Sequence, residues 1–406
     1  MKISALLTAF IIAGNMTFTA YAENWTAAAG NTEIADNAGS EDSALQAVTA
    51  PRSISALSAV VIEADSGRVL WGKQENVRRP MASTTKIMTT LLTLESGDLD
   101  SEFTVDSSAI AVEGSSMGLM EGDIVTKRDL CIGMLLPSGN DAAGCAAVKV
   151  GGSKDKFIEM MNSRAAQMGL YSTHFVTPSG LHDNDHYSTA LDMAMLAGEA
   201  MKNPDFAAIC RETSITLDYG DPPYRRTLAN TNKLLSMYEG CIGVKTGFTD
   251  EAGRCLVSCA ERGGVRLICV TLNAPDDWND HRLLLDYGFS VTSRETFSGD
   301  TSYFPDVAGG TADSVELIPA CPPEYTSVSG SNGEITRKIS APPLLTAPVT
   351  AGECYGTLTL WDGDRKLAAI PMTAAADVPA SGQSCYRESL CRRLINLIKD
   401  IFFTDR

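Results

Sequence analysis

The chain has 406 residues, a net charge of −17 and a composition that is 44% apolar and 20% charged. That length is enough for two folded domains. The acidic balance excludes a nucleic-acid binder, which must neutralise phosphates with Lys and Arg. Eleven cysteines, an odd number, leave at least one thiol unpaired. No C-x-x-C, Cys/His cluster or metal-spaced histidines occur, so no metal site is expected. Cys255, Cys259 and Cys269 lie in apolar runs and read as buried free thiols, which suits an anaerobic or weakly oxidising habitat.

In chain order, Lys2 precedes an apolar stretch from Ile3 to Ala13, and Ala20-Tyr21-Ala22 stands before Glu23. This is an export signal over residues 1–22, too short to span a bilayer. No Cys precedes Cys131, which excludes lipid attachment at the cleavage site. Residues 23–52 are rich in Ala, Asn, Glu and Ser without periodicity and read as a disordered linker. A catalytic-sized domain is expected over 53–292. It starts with a hairpin, Ala59-Val60-Val61-Ile62, a turn at Asp65-Ser66-Gly67, then Val69-Leu70-Trp71.

Pro80 opens an apolar helical run through Ile87, Met88, Leu91 and Leu94, and a helical region continues to about Asn203. Strand periodicity then covers Cys241 to Leu272 in three segments, followed by a closing helix at His281 to Tyr287. Strands flanking a helical middle predict an α+β domain with an antiparallel sheet and a helical cluster. Residues 293–380 form a small all-β domain, with candidate strands at Ser314–Ile318, Glu334–Ile339, Tyr355–Trp361 and Leu367–Ile370. Over residues 381–406, Leu390, Leu394, Leu397, Ile398 and Ile401 recur at helical spacing. Tyr386–Arg406 carries five Lys/Arg against three Asp/Glu. Such a basic amphipathic helix suits a membrane surface, or docks on the protein's own β domain.

Three short motifs stand in order: Ser83-Thr84-Thr85-Lys86, Ser138-Gly139-Asn140 and Lys245-Thr246-Gly247. A second S-x-x-K at Ser153–Lys156 lacks this order and is assigned no chemistry. A serine hydroxyl needs a base within hydrogen-bond reach, and Lys86 lies three residues on, on the same face. For Lys86 to act as a base its pKa must fall, through burial or a neighbouring cation, a role open to Lys245. Ser138 is placed to relay the proton to a leaving amine, and Asn140 to hold a substrate carbonyl and the Lys86 amine. Gly247 leaves room for a peptide to lie beside its strand, and Thr246 can bond a terminal carboxylate. The N–H groups of Ser83 and Phe248 would form the oxyanion hole.

With this set the chain resembles the serine-type D-alanyl-D-alanine carboxypeptidases, low-molecular-mass penicillin-binding proteins. Further matches are Thr173-His174-Phe175-Val176-Thr177-Pro178-Ser179-Gly180-Leu181 and His186-Tyr187-Ser188-Thr189-Ala190. Thr177 and Ser179 depart from the family's Asn and His, in a loop where the change reads as structural. The resemblance implies removal of the terminal D-Ala from peptidoglycan pentapeptide stems through an acyl-enzyme on Ser83, with β-lactams acylating the same serine. It also implies an Arg for the substrate carboxylate, with Arg254 and Arg282 as candidates, and no metal or organic cofactor. The protein would act outside the cell, at the outer face of the cytoplasmic membrane or in the wall. A β-lactamase is disfavoured, because no E-x-x-L-N stands between Asp141 and Val244. An endopeptidase acting on cross-links and a non-hydrolytic penicillin-binding sensor stay open.

Overall fold

The structure, a computed structural model, describes residues 49–330 and 333–381. The expected export signal, most of the expected linker and nearly all of the segment expected as a terminal amphipathic helix lie outside these residues. What is described divides into two compact units, one ending at Thr292 and the other starting at Ser293.

The first unit begins with the hairpin β1 (Ser58–Glu63) and β2 (Val69–Lys73). A 3-10 turn, Ala82–Thr85, runs directly into helix α1 (Lys86–Glu95). Two short strands, β3 (Phe103–Thr104) and β4 (Ile124–Val125), bracket a single helical turn, α2 (Ser107–Ile110). Four longer helices follow: α3 (Lys127–Leu135), α4 (Asn140–Gly151), α5 (Lys154–Gln167) and α6 (Ala190–Ala200). After α7 (Pro204–Cys210) comes a hairpin that the periodicity did not reveal, β5 (Ser214–Tyr219) and β6 (Tyr224–Ala229). Apart from buried Tyr219 and Leu228, its strands alternate exposed and half-buried side chains, so they carry little apolar signal.

A turn of helix, α8 (Leu234–Met237), leads into β7 (Cys241–Thr249), β8 (Gly253–Arg262) and β9 (Val265–Leu272), and α9 (Asp277–Ser290) closes the unit. The five-stranded sheet has the order β2-β1-β9-β8-β7, and its pairs β1–β2, β1–β9, β8–β9 and β7–β8 are antiparallel. Successive side chains point to opposite faces. On β8, Cys255, Val257 and Cys259 therefore join the core shared with α1, α3, α4 and α6, while Leu256 and Ala260 join the α9 core. β9 splits the same way, Ile268 and Val270 against Leu267 and Cys269. Covering both faces leaves β7 as one open edge.

Local chemistry sets the helix starts. Thr126 and Asp129 form a reciprocal capping box on α3, and Asn203 with Pro204 opens α7. The second S-x-x-K is a cap as well: Ser153 Oγ accepts from the Lys156 N–H at the start of α5. Helix α1 is buried from Lys86 to Leu94, which places three threonines in the core. Thr89 and Thr93 satisfy their hydroxyls on the Pro178 and Thr89 carbonyls, at 2.6 and 2.7 Å.

The second unit is all β. Its four-stranded sheet runs β12 (Leu317–Pro319), β17 (Arg365–Ala374), β16 (Cys354–Asp362), β14 (Ile335–Ser340). β10 (Thr292–Thr296) pairs with β13 (Glu324–Val328), and β11 (Asp306–Ala308) lies parallel to β15 (Leu344–Thr346). Leu317, Leu358, Leu360 and Met372 are fully buried at its centre. Among the described residues no helix is long and apolar enough to cross a membrane. Nine described cysteines are free, with Cys131, Cys145, Cys210, Cys255, Cys259 and Cys269 buried. Burial pushes the thiols of Cys145, Cys210 and Cys255 up to about 12, which keeps them inert.

Candidate active site

The three motifs converge where the 3-10 turn, the α3–α4 loop and edge strand β7 meet. Ser83 is half-buried in the turn. The turn is fixed by its own side chains: Thr84 Oγ1 donates to Met81 O at 2.6 Å and Thr85 Oγ1 to Ala82 O at 2.8 Å. Ala82, just before Ser83, has φ +48°, a left-handed conformation uncommon for a residue with a Cβ.

Lys86 is fully buried, and its Nζ has three partners. Ser83 Oγ lies at 2.8 Å, Asn140 Oδ1 at 2.6 Å and the Ser179 carbonyl at 2.7 Å. Two of the three can only accept. A neutral amine that donates to Asn140 and Ser179 therefore has its lone pair left for the Ser83 hydroxyl. Burial lowers the Lys86 pKa well below the usual lysine range, the positive charge of Lys245 lowers it further, and Asp141 opposes. Lys245 is itself buried on β7, which brings it down to about 7, and its Nζ donates to Thr246 O at 3.0 Å.

Ser138 is buried with φ +66°, so the loop presents it in a strained conformation of the kind that gathers at functional sites. Gly139 is dictated by packing: a Cβ there would stand 2.7 Å from Asp141 Oδ1 and 2.9 Å from Met117 N. Asn140 uses both ends of its amide, since Nδ2 donates to Glu113 O at 2.7 Å while Oδ1 receives Lys86. Gly247 also has a packing reason beyond room for substrate. A Cβ there would lie 3.0 and 3.1 Å from the Ser83 and Thr84 nitrogens, so its absence lets β7 approach the Ser83 turn.

Thr246 Oγ1 pairs with Thr231 Oγ1 at 2.7 Å, and Phe248 is 62% exposed at the edge. Of the two arginines, Arg254 has Phe248 as its register partner across β7–β8. Asp277 Oδ1 holds its Nε and Nη2, at 3.0 and 2.6 Å, and its guanidinium stands 5.3 Å from the Trp278 ring. Arg282 instead turns to Asn279 and Asp286 on its own helix.

Sequence reasoning missed three contributors. The Ser179 carbonyl is a backbone atom with no residue-type signature. Asp141, directly after the second motif, is buried and accepts from the N–H groups of Met117, Gly118 and Leu119 and from Ser116 Oγ. An acid in the first turn of a helix was the available signal. Arg226, on the unforeseen hairpin, donates to the Met117 and Gly118 carbonyls and stacks over Tyr224, 3.8 Å from its centroid. It pins the same loop from the other side.

Residues 44–276 match the family model described as D-alanyl-D-alanine carboxypeptidase, and 293–380 match penicillin-binding protein 5, C-terminal domain. D-alanyl-D-alanine carboxypeptidase DacF of Bacillus subtilis is 34% identical over 340 residues, 80% of this chain and 87% of the relative. DacC of Escherichia coli, with the same description, is 32% identical over 365 residues, 83% of this chain and 87% of the relative. Among solved structures, a Streptomyces DD-transpeptidase superposes with TM-score 0.57 at 35% identity, covering 60% of this chain and all of its own. The D-alanyl-D-alanine carboxypeptidase DacD of Francisella tularensis gives 0.60 at 25% identity, over 84% of this chain and 98% of its own.

Proposed function

The chain belongs to the D-alanyl-D-alanine carboxypeptidase family of serine peptidases, and we propose that Ser83 is its nucleophile and Lys86 its general base. The observation that carries this assignment is the Lys86 amine, 2.8 Å from Ser83 Oγ with its other two contacts being pure acceptors. A stem peptide ending in D-Ala-D-Ala lies antiparallel to the open edge of β7. Its terminal carboxylate meets the Thr246 hydroxyl and the Arg254 guanidinium, which Asp277 holds in place, with the Lys245 charge nearby.

Ser83 Oγ attacks the penultimate D-Ala carbonyl as its proton passes to Lys86. The Ser83 and Phe248 N–H groups hold the oxyanion, a contribution of about 3 kcal/mol per donor in comparable sites. The proton moves through Ser138 to the leaving nitrogen, and free D-Ala departs. Water then attacks the acyl-Ser83 ester with Lys86 again as base, and hydrolysis returns the enzyme. β-Lactams acylate the same hydroxyl. Asn140 holds the substrate carbonyl and fixes the Lys86 amine.

Residues 1–22 direct export, and 381–406 attach the protein to the outer face of the cytoplasmic membrane. The family's wall substrate and the basic amphipathic pattern support this reading. Deleting 381–406 is expected to move the protein to the soluble fraction; an unchanged membrane fraction overturns the anchor. The activity is tested by product analysis on monomeric and cross-linked muropeptides with penicillin labelling of Ser83. Free D-Ala from monomers supports the carboxypeptidase. Cleavage of cross-links alone would make it an endopeptidase, and labelling with no hydrolysis a sensor.

A further inference from the structure

The mechanism above leaves unused a buried, ionisable ring beside the Ser83 turn. His186 is 3% exposed and lies between the nucleophile turn and the loop that carries Ser179. Its Nδ1 accepts from the Val176 N–H at 2.9 Å and the Thr177 N–H at 3.3 Å. Two backbone donors on Nδ1 put the ring proton on Nε2. Nε2 stands 2.8 Å from Thr85 Oγ1 and therefore donates to it. Thr85 Oγ1 in turn donates a hydrogen bond at 2.8 Å to the carbonyl of Ala82, the residue with positive φ before Ser83.

The two segments touch directly as well. A Cβ on Gly180 would fall 2.0 Å from Ala82 O, so the loop backbone presses on the same carbonyl. One residue earlier in that loop, Ser179 supplies the acceptor for Lys86 Nζ. The ring therefore ties the position of Ser83 Oγ to the position of the carbonyl that orients its base. Burial keeps the ring neutral, bringing its pKa down to about 4, so this hydrogen-bond polarity holds at neutral pH.

We propose that His186 is a positioning residue for the nucleophile–base pair, acting through Thr85 on the Ser83 turn and through the Val176–Ser179 backbone on Lys86. The proposal rests on the catalytic reading of Ser83 and Lys86. The side chain touches neither serine nor substrate; what it sets is the spacing of two groups that must meet at hydrogen-bond distance. An asparagine at 186 places its amide near the Nδ1 position and keeps the backbone acceptor while losing Thr85. A glutamine reaches the Nε2 position and keeps the donor to Thr85.

The test compares the mature full-length protein with His186→Asn, His186→Gln and Thr85→Val, measuring kcat and KM for D-Ala release, the rate of penicillin acylation, and the melting temperature. His186→Asn is expected to lower kcat and acylation by about 10- to 100-fold with KM changed less than about threefold, as misplacement of reacting groups does. His186→Gln restores most of the rate. Thr85→Val reproduces the loss, and combining it with His186→Asn adds little, because both cut one link. Wild-type kcat in His186→Asn overturns the proposal, as do equal losses in Asn and Gln that follow melting temperature alone. If the His186 variants fail to fold, Thr85→Val decides by the same criterion. Wild-type protein that releases no D-Ala would sink the carboxypeptidase reading instead, while acylation of Ser83 still reports on the His186 link.

Discussion

Ser83 and Lys86 are three residues apart in a chain of 406, yet their chemistry depends on groups far from both. The acceptors that fix Lys86 come from Asn140 and Ser179, 54 and 93 positions away. The pH dependence of acylation follows from who surrounds this amine. It must be neutral to take the serine proton, so acylation rises with pH as Lys86 deprotonates. Lys245 lowers the Lys86 pKa and Asp141 raises it. Lys245→Gln therefore moves the rising limb to higher pH and Asp141→Asn moves it to lower pH, read as penicillin acylation rate against pH. A limb unmoved by Lys245→Gln would show that burial alone tunes the base.

The residue types of the site were legible because the reaction restricts them: a hydroxyl with a lysine one turn on, a second hydroxyl with an amide, a lysine on a strand before Thr-Gly. Contributions made through the backbone, or through contacts formed only on folding, were not. His186 stood in a recognised stretch, but its bond to Thr85 joins residues 101 apart. No local pattern announces such a contact.

At the scale of elements, the site depends on how closely β7 approaches the Ser83 turn and on how Asp141 holds the Ser115–Leu119 loop against the second motif. Gly247→Ala places a methyl at 3.0–3.2 Å from the Ser83 and Thr84 nitrogens and Ala82 Cβ. The turn must shift by a few tenths of an ångström. We expect kcat/KM to fall about tenfold, a barrier change of about 1.4 kcal/mol, with the melting temperature little altered. A fully active Gly247→Ala would mean that turn and strand are not held in register. Asp141→Ala strips the acceptor from three backbone N–H groups and the Ser116 hydroxyl. The expected cost is about 3 kcal/mol of stability in chemical denaturation, because buried donors are left unpaired. A loss below about 0.5 kcal/mol would mean that the loop finds other partners.

Strong apolar elements were read correctly in kind: the first hairpin, the central helix, the three strands after Cys241 and the closing helix. Helix α9 is longer than its periodicity, Asp277–Ser290 rather than His281–Tyr287, because its first turn is acidic. The β5–β6 hairpin and strands β10, β11, β13 and β15 of the second unit escaped notice, since half-exposed strands of three to six residues carry little pattern.

At the scale of the molecule, the proposed catalytic residues and both cores that support them lie within the unit ending at Thr292. The Streptomyces enzyme, whose whole chain superposes on 60% of this one, shows that such a unit stands alone in a relative. A protein of residues 53–292 is therefore expected to fold cooperatively and to keep kcat within about threefold of the longer chain. Loss of folding would mean that the β unit supports the catalytic one. The six buried thiols within this first unit also predict that denaturation without reductant exposes them to titration as free groups. Few reactive thiols would contradict that.

The central claim is that Ser83, activated by Lys86, releases D-Ala from a D-Ala-D-Ala terminus. The most direct test is D-Ala release from a diacyl-Lys-D-Ala-D-Ala peptide by residues 23–380, beside Ser83→Ala and with penicillin present. The account predicts release by the unmodified protein, a loss of at least about 1000-fold in Ser83→Ala, and abolition by penicillin. Release that persists in Ser83→Ala, or that penicillin leaves untouched, would contradict it.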